Sequence, residues 1–200
     1  MKKILHIISS PRGEASISIK LGNAIIGKLQ DVFPGSTIKV HDLTEAPFAH
    51  LGPNHLQAFF TRPENRTAEN LTDLQQSEEA VNEVLDADII VIGIPIYNFN
   101  MHSTLKAWID HIVRSGRTIR FDENGPEGLV HNKKVYLASC SKGVYSMGIM
   151  KQFDFVEPYF RHILNYLGIT DVEVLRVEGS NIPAEQSETL QQTMAAFSVA

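Results

Sequence analysis

The amino-acid sequence predicts an α/β fold in which a five-stranded parallel sheet is covered by helices on both faces. Short apolar runs alternate with segments of helical periodicity along the chain, which is the pattern of consecutive strand–helix units. One run, from Ile89 to Ile94, has no polar side chain, so a strand there needs apolar cover on both sides. Parallel strands joined by right-handed helical crossovers provide that cover, and we therefore expect a doubly wound sheet.

The predicted elements alternate in chain order. Strands are expected at the segments ILHII, TIKVHDL, DIIVIGIPI, KKVYLASC and VEVLRVEG. Helices are expected over residues 17–33, 71–85, 105–113 and 155–167 and from residue 184 onward. In the first helix an apolar residue recurs every three or four positions, which predicts one stripe facing the sheet. This stripe consists of Leu21, Ile25, Leu29 and Val32. Strand orders 2-1-3-4-5 and 3-2-1-4-5 both suit this arrangement.

The composition limits the classes of function. Two hundred residues with 43% hydrophobic content suffice for one core, so we expect a single domain over residues 1–200. A net charge of -5 gives no basic footprint for a nucleic-acid partner. The single cysteine, Cys140, excludes an intrachain disulfide and a cysteine-based zinc site, and it fits a cytoplasmic protein. No apolar run approaches the roughly 18 residues of a membrane span, so we expect a soluble protein.

The motifs of metalloenzymes and serine hydrolases are absent from the sequence. Eight histidines occur, but no pair has the i, i+4 spacing on a helix beside a carboxylate that binds a metal, so we expect no metal. The G-x-S-x-G motif of serine hydrolases does not occur either.

Two segments interrupt the alternation of strands and helices. Residues 45–66 contain three prolines and an aromatic pair, and we expect a long ordered loop that is covered by a partner or faces a substrate. Residues 118–129 place an Asn-Gly-Pro turn between two potential strand ends. This predicts a hairpin at the rim of the sheet, where it could cover a site.

A phosphate site is indicated after the first strand, since ligands of open parallel sheets bind beyond the carboxyl ends of the strands. Serine hydroxyls there meet the start of a helix, whose N–H groups carry partial positive charge. They belong to Ser9, Ser10, Ser16 and Ser18. The alternative is that Ser16 or Ser18 only caps the helix. Because neither the dinucleotide glycine fingerprint nor the P-loop motif occurs, a mononucleotide fits best.

The loop after the third strand predicts a site for a flat ring. The run from Pro95 to Asn100 combines two aromatic rings and two amides without any charge. Apolar faces and hydrogen-bonding groups of this kind suit a ring system with a polar edge. The alternative is that Tyr97 and Phe99 only pack at the rim of the sheet.

The loop after the fourth strand contributes a third part of the predicted site. Gly143 permits a close approach of the backbone to a ligand, and Lys142 or exposed N–H groups there supply positive charge. Cys140 stands at the end of the strand, where a lone cysteine is more typical of buried packing than of a nucleophile.

Three segments together resemble the family of FMN-dependent NADH azoreductases, which includes flavodoxin-like NADH:quinone reductases. They are SPRGEASIS, PIYNFNMHSTLKAWID and ENGPEGLVHNKK, and the resemblance extends over almost the whole chain. It implies a flavodoxin-like three-layer sandwich with strand order 2-1-3-4-5. It also implies a homodimer with one FMN at each of two sites near the subunit interface. The resemblance further implies that hydride passes from NADH through FMN to quinones or azo compounds in a ping-pong cycle.

The resemblance assigns no catalytic residue, because FMN carries the chemistry. The cofactor-binding residues it implies are Ser10, Ser16, Ile17 and Ser18 at the phosphate, Pro95, Ile96, Tyr97, Asn98 and Phe99 along the isoalloxazine ring, and Cys140, Ser141, Lys142 and Gly143 in the third loop. Many relatives have S-R-G-G in that third loop, so contacts at the flavin's pyrimidine end are not carried over. The substrate pocket is expected to include Phe121, Asn124, Gly125 and Pro126.

Two other functions fit the same fold. A flavodoxin-type carrier would shuttle single electrons between proteins, and a flavin-dependent redox sensor would show little turnover. Residues 45–66 and the hairpin favour an enclosed substrate site over the bare surface of a carrier, and only the altered third loop favours a sensor. The choice of NADH over NADPH follows from the resemblance, since no basic cluster for a 2′-phosphate is found.

Overall fold

The computed structural model describes residues 1–179 and 181–199. The strands in these ranges are β1 (Lys3–Ile8), β2 (Thr37–Asp42), β3 (Ile89–Pro95), β4 (Ile119–Asp122), β5 (Gly125–Gly128), β6 (Lys134–Cys140) and β7 (Asp171–Val177). The α-helices are α1 (Ile17–Val32), α2 (Pro53–Phe60), α3 (Ala68–Asp86), α4 (Ser103–Ile112), α5 (Val156–Leu167) and α6 (Pro183–Ala196). Short 3-10 turns lie at Gly13–Ala15, Pro63–Asn65 and Ile149–Phe153. No helix in the described ranges is long and apolar enough to cross a membrane.

The main sheet confirms the predicted five-stranded parallel architecture. Its order is β2-β1-β3-β6-β7, and every neighbouring pair is parallel. The expected numbering 2-1-3-4-5 did not count β4 and β5, which precede β6 in the chain but pair with each other outside this sheet. The alternative order 3-2-1-4-5 is wrong, because β1 lies between β2 and β3.

Both faces of the sheet are covered, as the apolar strands require. Ile90, Ile92 and Ile94 of β3 belong to a core cluster with buried residues of α3, α4 and α5. On the other face, Ile89 and Val91 pack in a second cluster with residues of α1. Fully burying one such side chain stabilises the fold by about 1.5–3 kcal/mol. The apolar stripe predicted on α1 ends earlier than expected, since Val32 is half exposed at the end of the helix.

The expectation of a long loop over residues 45–66 is wrong, because this segment contains α2 and a 3-10 turn. Pro53 occupies the first position of α2, where its fixed φ favours a helix. The helix has eight residues and only Ala58 is fully buried, so its periodicity was too short to recognise. The segment packs on its own chain: the Phe59 ring lies 4.3 Å from the Arg114 guanidinium, and His111 Nε2 lies 2.9 Å from the carbonyl oxygen of Ala49.

The predicted hairpin is present as the antiparallel pair β4–β5. It follows the end of α4 and precedes β6, so it is attached at the edge of the sheet where the parallel strands begin. Its base packs tightly on the end of α5, because a Cβ added at Gly128 would lie 2.1 Å from the backbone nitrogen of Gly168. Phe121 near the tip is 63% exposed.

A histidine is buried between the sheet and α1. His6 of β1 is 1% exposed, and its Nε2 has no hydrogen-bond partner among the described residues. A glycine is needed opposite this ring, since a Cβ at Gly22 would lie 2.6 Å from Nε2. Burial lowers the pKa of His6 to about 4, although the Asp42 carboxylate acts in the opposite direction. His6 is therefore neutral at physiological pH.

We predict that His6 makes the fold acid-sensitive. Since the pKa of the ring is about 4 in the folded chain and about 6.5 in the unfolded chain, its contribution to stability is present above pH 6.5 and is lost as the pH falls toward 4. Between pH 7 and pH 5 this loss amounts to about 2 kcal/mol. Urea unfolding of the His6→Leu variant should show a pH dependence smaller by that amount. The control variant His131→Leu, at an exposed position, should retain the wild-type pH dependence of the free energy of unfolding. The same pH dependence in all three proteins would contradict the prediction.

Candidate functional site

A cavity of about 440 Å³ opens beyond the carboxyl ends of β1, β3 and β6. All thirteen residues predicted to bind the cofactor line it, so the three loops do meet. The lining residues are Ser10, Arg12, Ser16, Ile17, Ser18, Pro95, Ile96, Tyr97, Asn98, Phe99, Cys140, Ser141, Lys142, Gly143, Tyr145 and Gln186. A larger cavity of about 680 Å³ lies at the other end of β1, but its lining charges include the mutually paired Lys3 and Asp86, and none of the predicted site residues line it.

The loop after β1 presents the start of α1 to the cavity. Ser16 is the N-cap residue, yet its side chain makes no capping hydrogen bond and instead shares a bond of 3.0 Å with the hydroxyl of Ser18. The interpretation that either serine only caps the helix is therefore not supported. Ser9 has a structural role, because its hydroxyl donates to the carbonyl oxygen of Gly93 at 2.7 Å. Buried hydroxyls beside the first N–H groups of a 16-residue helix form a suitable site for an anion.

The loop after β3 is a tight turn from Tyr97 to Asn100. The two end residues exchange backbone hydrogen bonds of 2.8 and 2.9 Å, and both central residues have positive φ, 49° at Asn98 and 66° at Phe99. A phenylalanine in this conformation carries strain of order 1–3 kcal/mol, which persists only where the surroundings enforce it. The Phe99 ring packs on Phe153 and Tyr145 at centroid distances of 5.5 and 6.1 Å. The turn thus presents backbone and ring edges to the cavity.

The loop after β6 closes the third side of the cavity. The Ser141 hydroxyl donates to the carbonyl oxygen of Gly143 at 2.7 Å. A Cβ at Gly143 would lie 3.1 Å from the Tyr145 ring, so the glycine permits this packing. Burial raises the pKa of the Cys140 thiol to about 12, which keeps it protonated. Cys140 is a packing residue and has no features of a nucleophile.

The charge of the cavity favours an anionic ligand. Arg12 and Lys142 line it, whereas no aspartate or glutamate occurs among the described lining residues. Buried serine hydroxyls and a helix N-terminus stand at one part of the cavity, and aromatic and amide side chains stand at another. This distribution matches a ligand with a phosphate group and a flat ring.

Sequence and structure comparisons identify the family. A model of the family described as having a flavodoxin-like fold matches residues 2–199. The chain belongs to this flavodoxin-like family. A Mesorhizobium japonicum protein named FMN-dependent NADH:quinone oxidoreductase is 42% identical over 88% of this chain and 84% of its own length. An Azospirillum brasilense protein of the same name is 45% identical over 88% of this chain and 86% of its own length. The crystal structure of an azoreductase from Bacillus anthracis str. Sterne superposes with a TM-score of 0.88 at 26% identity, covering 98% of this chain and 96% of that one.

The family resemblance inferred from three motifs is thereby confirmed, and the assignment of cofactor-binding residues stays a prediction for this flavodoxin-like chain. Arg12, Tyr145 and Gln186 line the cavity and were not predicted. Arg12 lies in the segment SPRGEASIS and Tyr145 lies two residues after Gly143, so both were within reach of sequence reasoning. Gln186 comes from α6, which carried no signal of a ligand site.

The four predicted substrate-pocket residues do not line this cavity. Phe121, Asn124, Gly125 and Pro126 lie on the β4–β5 hairpin, which is attached at the other edge of the sheet. Residues 45–66, expected to face a substrate or a partner, do not line it either. The expected role of the hairpin beside a substrate therefore stays a prediction. For residues 45–66, the cavity within one chain gives no support for such a role.

Proposed function

We propose that this flavodoxin-like chain is an FMN-dependent oxidoreductase that takes hydride from NADH and passes it to quinones or azo compounds. The observation that carries the proposal is the convergence of three loops on one carboxylate-free cavity, with buried hydroxyls at a helix N-terminus and an aromatic turn opposite. Relatives that are 42% and 45% identical over most of both chains are named FMN-dependent NADH:quinone oxidoreductases, which supports the same activity here.

The residues of the cavity fit FMN. Its volume of about 440 Å³ lies in the range of small-molecule sites, roughly 300–1,000 Å³. The Ser16 hydroxyl, which makes no capping bond, and the N–H groups at the start of α1 would hold the phosphate. The Tyr97–Asn100 turn would hold the edge of the ring through its backbone and the Asn98 amide. When bound, FMN supplies the hydride transfer.

The protein's part in the reaction is to position the flavin and to exclude water from it. The Phe99 ring packs on the rings of Tyr145 and Phe153 beside the cavity, so these rings would shield a bound ring from solvent on that side. No aspartate, glutamate or histidine lines the described cavity, and the buried Cys140 thiol does not ionise at working pH. We therefore assign no general acid of these residue types to the chain, and we propose that the proton that completes acceptor reduction comes from solvent.

A test of the phosphate site compares FMN with riboflavin, which lacks the phosphate. The double variant Ser16→Ala and Ser18→Ala should bind FMN about thirtyfold more weakly, since each of the two lost hydrogen bonds costs of order 1 kcal/mol. Its affinity for riboflavin should equal that of the wild type. Quenching of flavin fluorescence measures both affinities. The matched control Ser77→Ala removes an equally buried hydroxyl far from the cavity and should leave both unchanged. An equal loss for FMN and riboflavin in the double variant would place the phosphate elsewhere.

We also propose a homodimer in which the hairpin of one copy borders the substrate side of the partner's cavity. The hairpin is attached at the amino edge of its own sheet, whereas the cavity lies at the carboxyl edge, beyond strands of seven residues that span roughly 20 Å. Phe121 is largely exposed near the hairpin tip, where a second copy can contact it. If the hairpin contributes to a substrate pocket, it is therefore better placed to border the cavity of a second copy than the cavity of its own chain.

Mixed dimers test this arrangement, after light scattering has shown the mass of two chains. In the first mixed dimer, one chain carries Phe121→Ala and the other carries the site-blocking pair Ser16→Asp and Ser18→Asp. The one intact cavity is then bordered by the normal hairpin of the partner, so the KM for quinone should equal that of the wild type. In the second mixed dimer, all three changes are on one chain and the other chain is wild type. The intact cavity of the wild-type chain is then bordered by the altered hairpin, and the KM for quinone should rise about threefold or more because an aromatic contact is lost. The reverse pattern, or a monomer, would contradict the proposal.

We propose further that residues 1–200 act as one FMN-binding domain in the cytoplasm. The family match over residues 2–199 supports a single unit. A lone, buried cysteine and the use of NADH suit a reducing compartment.

A further inference from the structure

An ion cluster lies behind the candidate site, around Arg176 of β7. The guanidinium Nη2 lies 2.5 Å from Asp154 Oδ2 and 2.5 Å from Glu157 Oε2, and Nη1 lies 2.9 Å from Glu178 Oε1. The Arg176 side chain is 13% exposed. One partly buried cation is thus shared by three carboxylates, none of which lines the cavity.

Two of these carboxylates connect Arg176 to one segment, residues 141–155, which joins β6 to α5. Glu178 accepts hydrogen bonds from the backbone N–H groups of Tyr145 and Ser146 at 3.1 and 3.3 Å. Asp154 accepts from the N–H groups of Val156 and Glu157 at 3.2 and 3.1 Å and so tethers the segment to the start of α5. Through these two carboxylates, Arg176 is linked to the β6–α5 segment at two places, at Tyr145 and Ser146 and at Asp154.

The β6–α5 segment forms one wall of the cavity. Its residues Ser141, Lys142, Gly143 and Tyr145 line the cavity, and Phe153 packs on the Phe99 ring. Apart from Arg176 and its partners, much of the segment is exposed, including Met147 and Ile149 at 68% and 82%. Few apolar contacts therefore hold this wall in place, and its polar attachments to β7 and Glu178 are the ion cluster and the hydrogen bond from the Ser141 N–H to the carbonyl oxygen of Val177.

We infer that Arg176 is a positioning residue that holds the wall of the cavity against the ring end of the flavin. The inference rests on the proposed function, since it assumes that a flavin occupies the cavity. The phosphate end belongs to a different element, the start of α1, which Arg176 does not contact. Loss of Arg176 should therefore loosen the hold on the ring and leave the hold on the phosphate intact.

The physical reason is the charge that Arg176 neutralises. Without it, three carboxylates would remain close together in a partly buried place, and their repulsion would separate β7 from the β6–α5 segment. Burial on its own raises the pKa of Glu157, but hydrogen bonds from Arg176 and Arg161 outweigh it and hold that pKa below its usual value. Arg161 forms an ion pair with Glu157 and donates a hydrogen bond to the carbonyl oxygen of Val172, and neither partner lies in the β6–α5 segment, so it offers a matched control.

The test uses the Arg176→Gln variant with two readouts. The affinities for FMN and for riboflavin should fall by the same factor, about tenfold or more, because the change acts on the ring that both share. In the flavin-free protein, trypsin should cut after Lys142 and Lys151 faster than in the wild type, as the wall loosens. Arg176→Lys should restore part of both properties, and Arg161→Gln should leave both unchanged.

A second variant separates the wall from overall folding. Glu178→Ala leaves Arg176 paired with two carboxylates but removes the acceptor for Tyr145 and Ser146, so flavin affinity should fall and cleavage after Lys142 should increase. Wild-type flavin affinity in both Arg176→Gln and Glu178→Ala would overturn the inference, as would a loss for FMN without a loss for riboflavin. If the wild-type chain binds no flavin, the proposed function fails, whereas the trypsin readout still decides whether Arg176 holds the wall.

Discussion

In the middle of the sheet, β1 pairs with β2 on one side and with β3 on the other, and β3 continues to β6. The chain therefore leaves β1 toward one edge of the sheet and leaves β3 toward the opposite edge, so the loops after these strands diverge. A crevice opens between them at the carboxyl ends of the strands. The cavity, the start of α1 and the Tyr97–Asn100 turn all owe their positions to this reversal. The pairing itself depends on β3 being apolar on both faces, because each face is covered by a separate core cluster.

Within the crevice, recognition relies on neutral groups and helix polarity more than on charged pairs. The start of α1 presents N–H groups and buried hydroxyls, and the turn after β3 presents its backbone in a conformation that two non-glycine residues hold at positive φ. Fixed dipoles of this kind bind an anion without burying a salt bridge. Charge pairing is used instead behind the site, where Arg176 links β7 to the segment that completes the wall.

Local patterns carried much of the sequence prediction. The unbroken apolar run of β3 indicated a sheet covered on both faces, and the three polar loops after β1, β3 and the strand ending at Cys140 were recognisable because each interrupts an apolar pattern. What failed depended on contacts between distant residues. Helix α2 has eight residues and little periodicity, and it packs against α3, an element that follows it in the chain. Gln186 reaches the cavity from α6, and Arg176 meets partners 19 and 22 residues away in the chain, which spacing alone does not indicate.

The central claim is that the crevice holds FMN and cycles it between NADH and an acceptor. The most direct measurement is the visible spectrum of the FMN-reconstituted protein without oxygen, recorded before and after NADH and again after a quinone is added. NADH should bleach the flavin band in one phase, and the quinone should restore it. A chain that binds no FMN, or a bound flavin that NADH leaves oxidised, would contradict it.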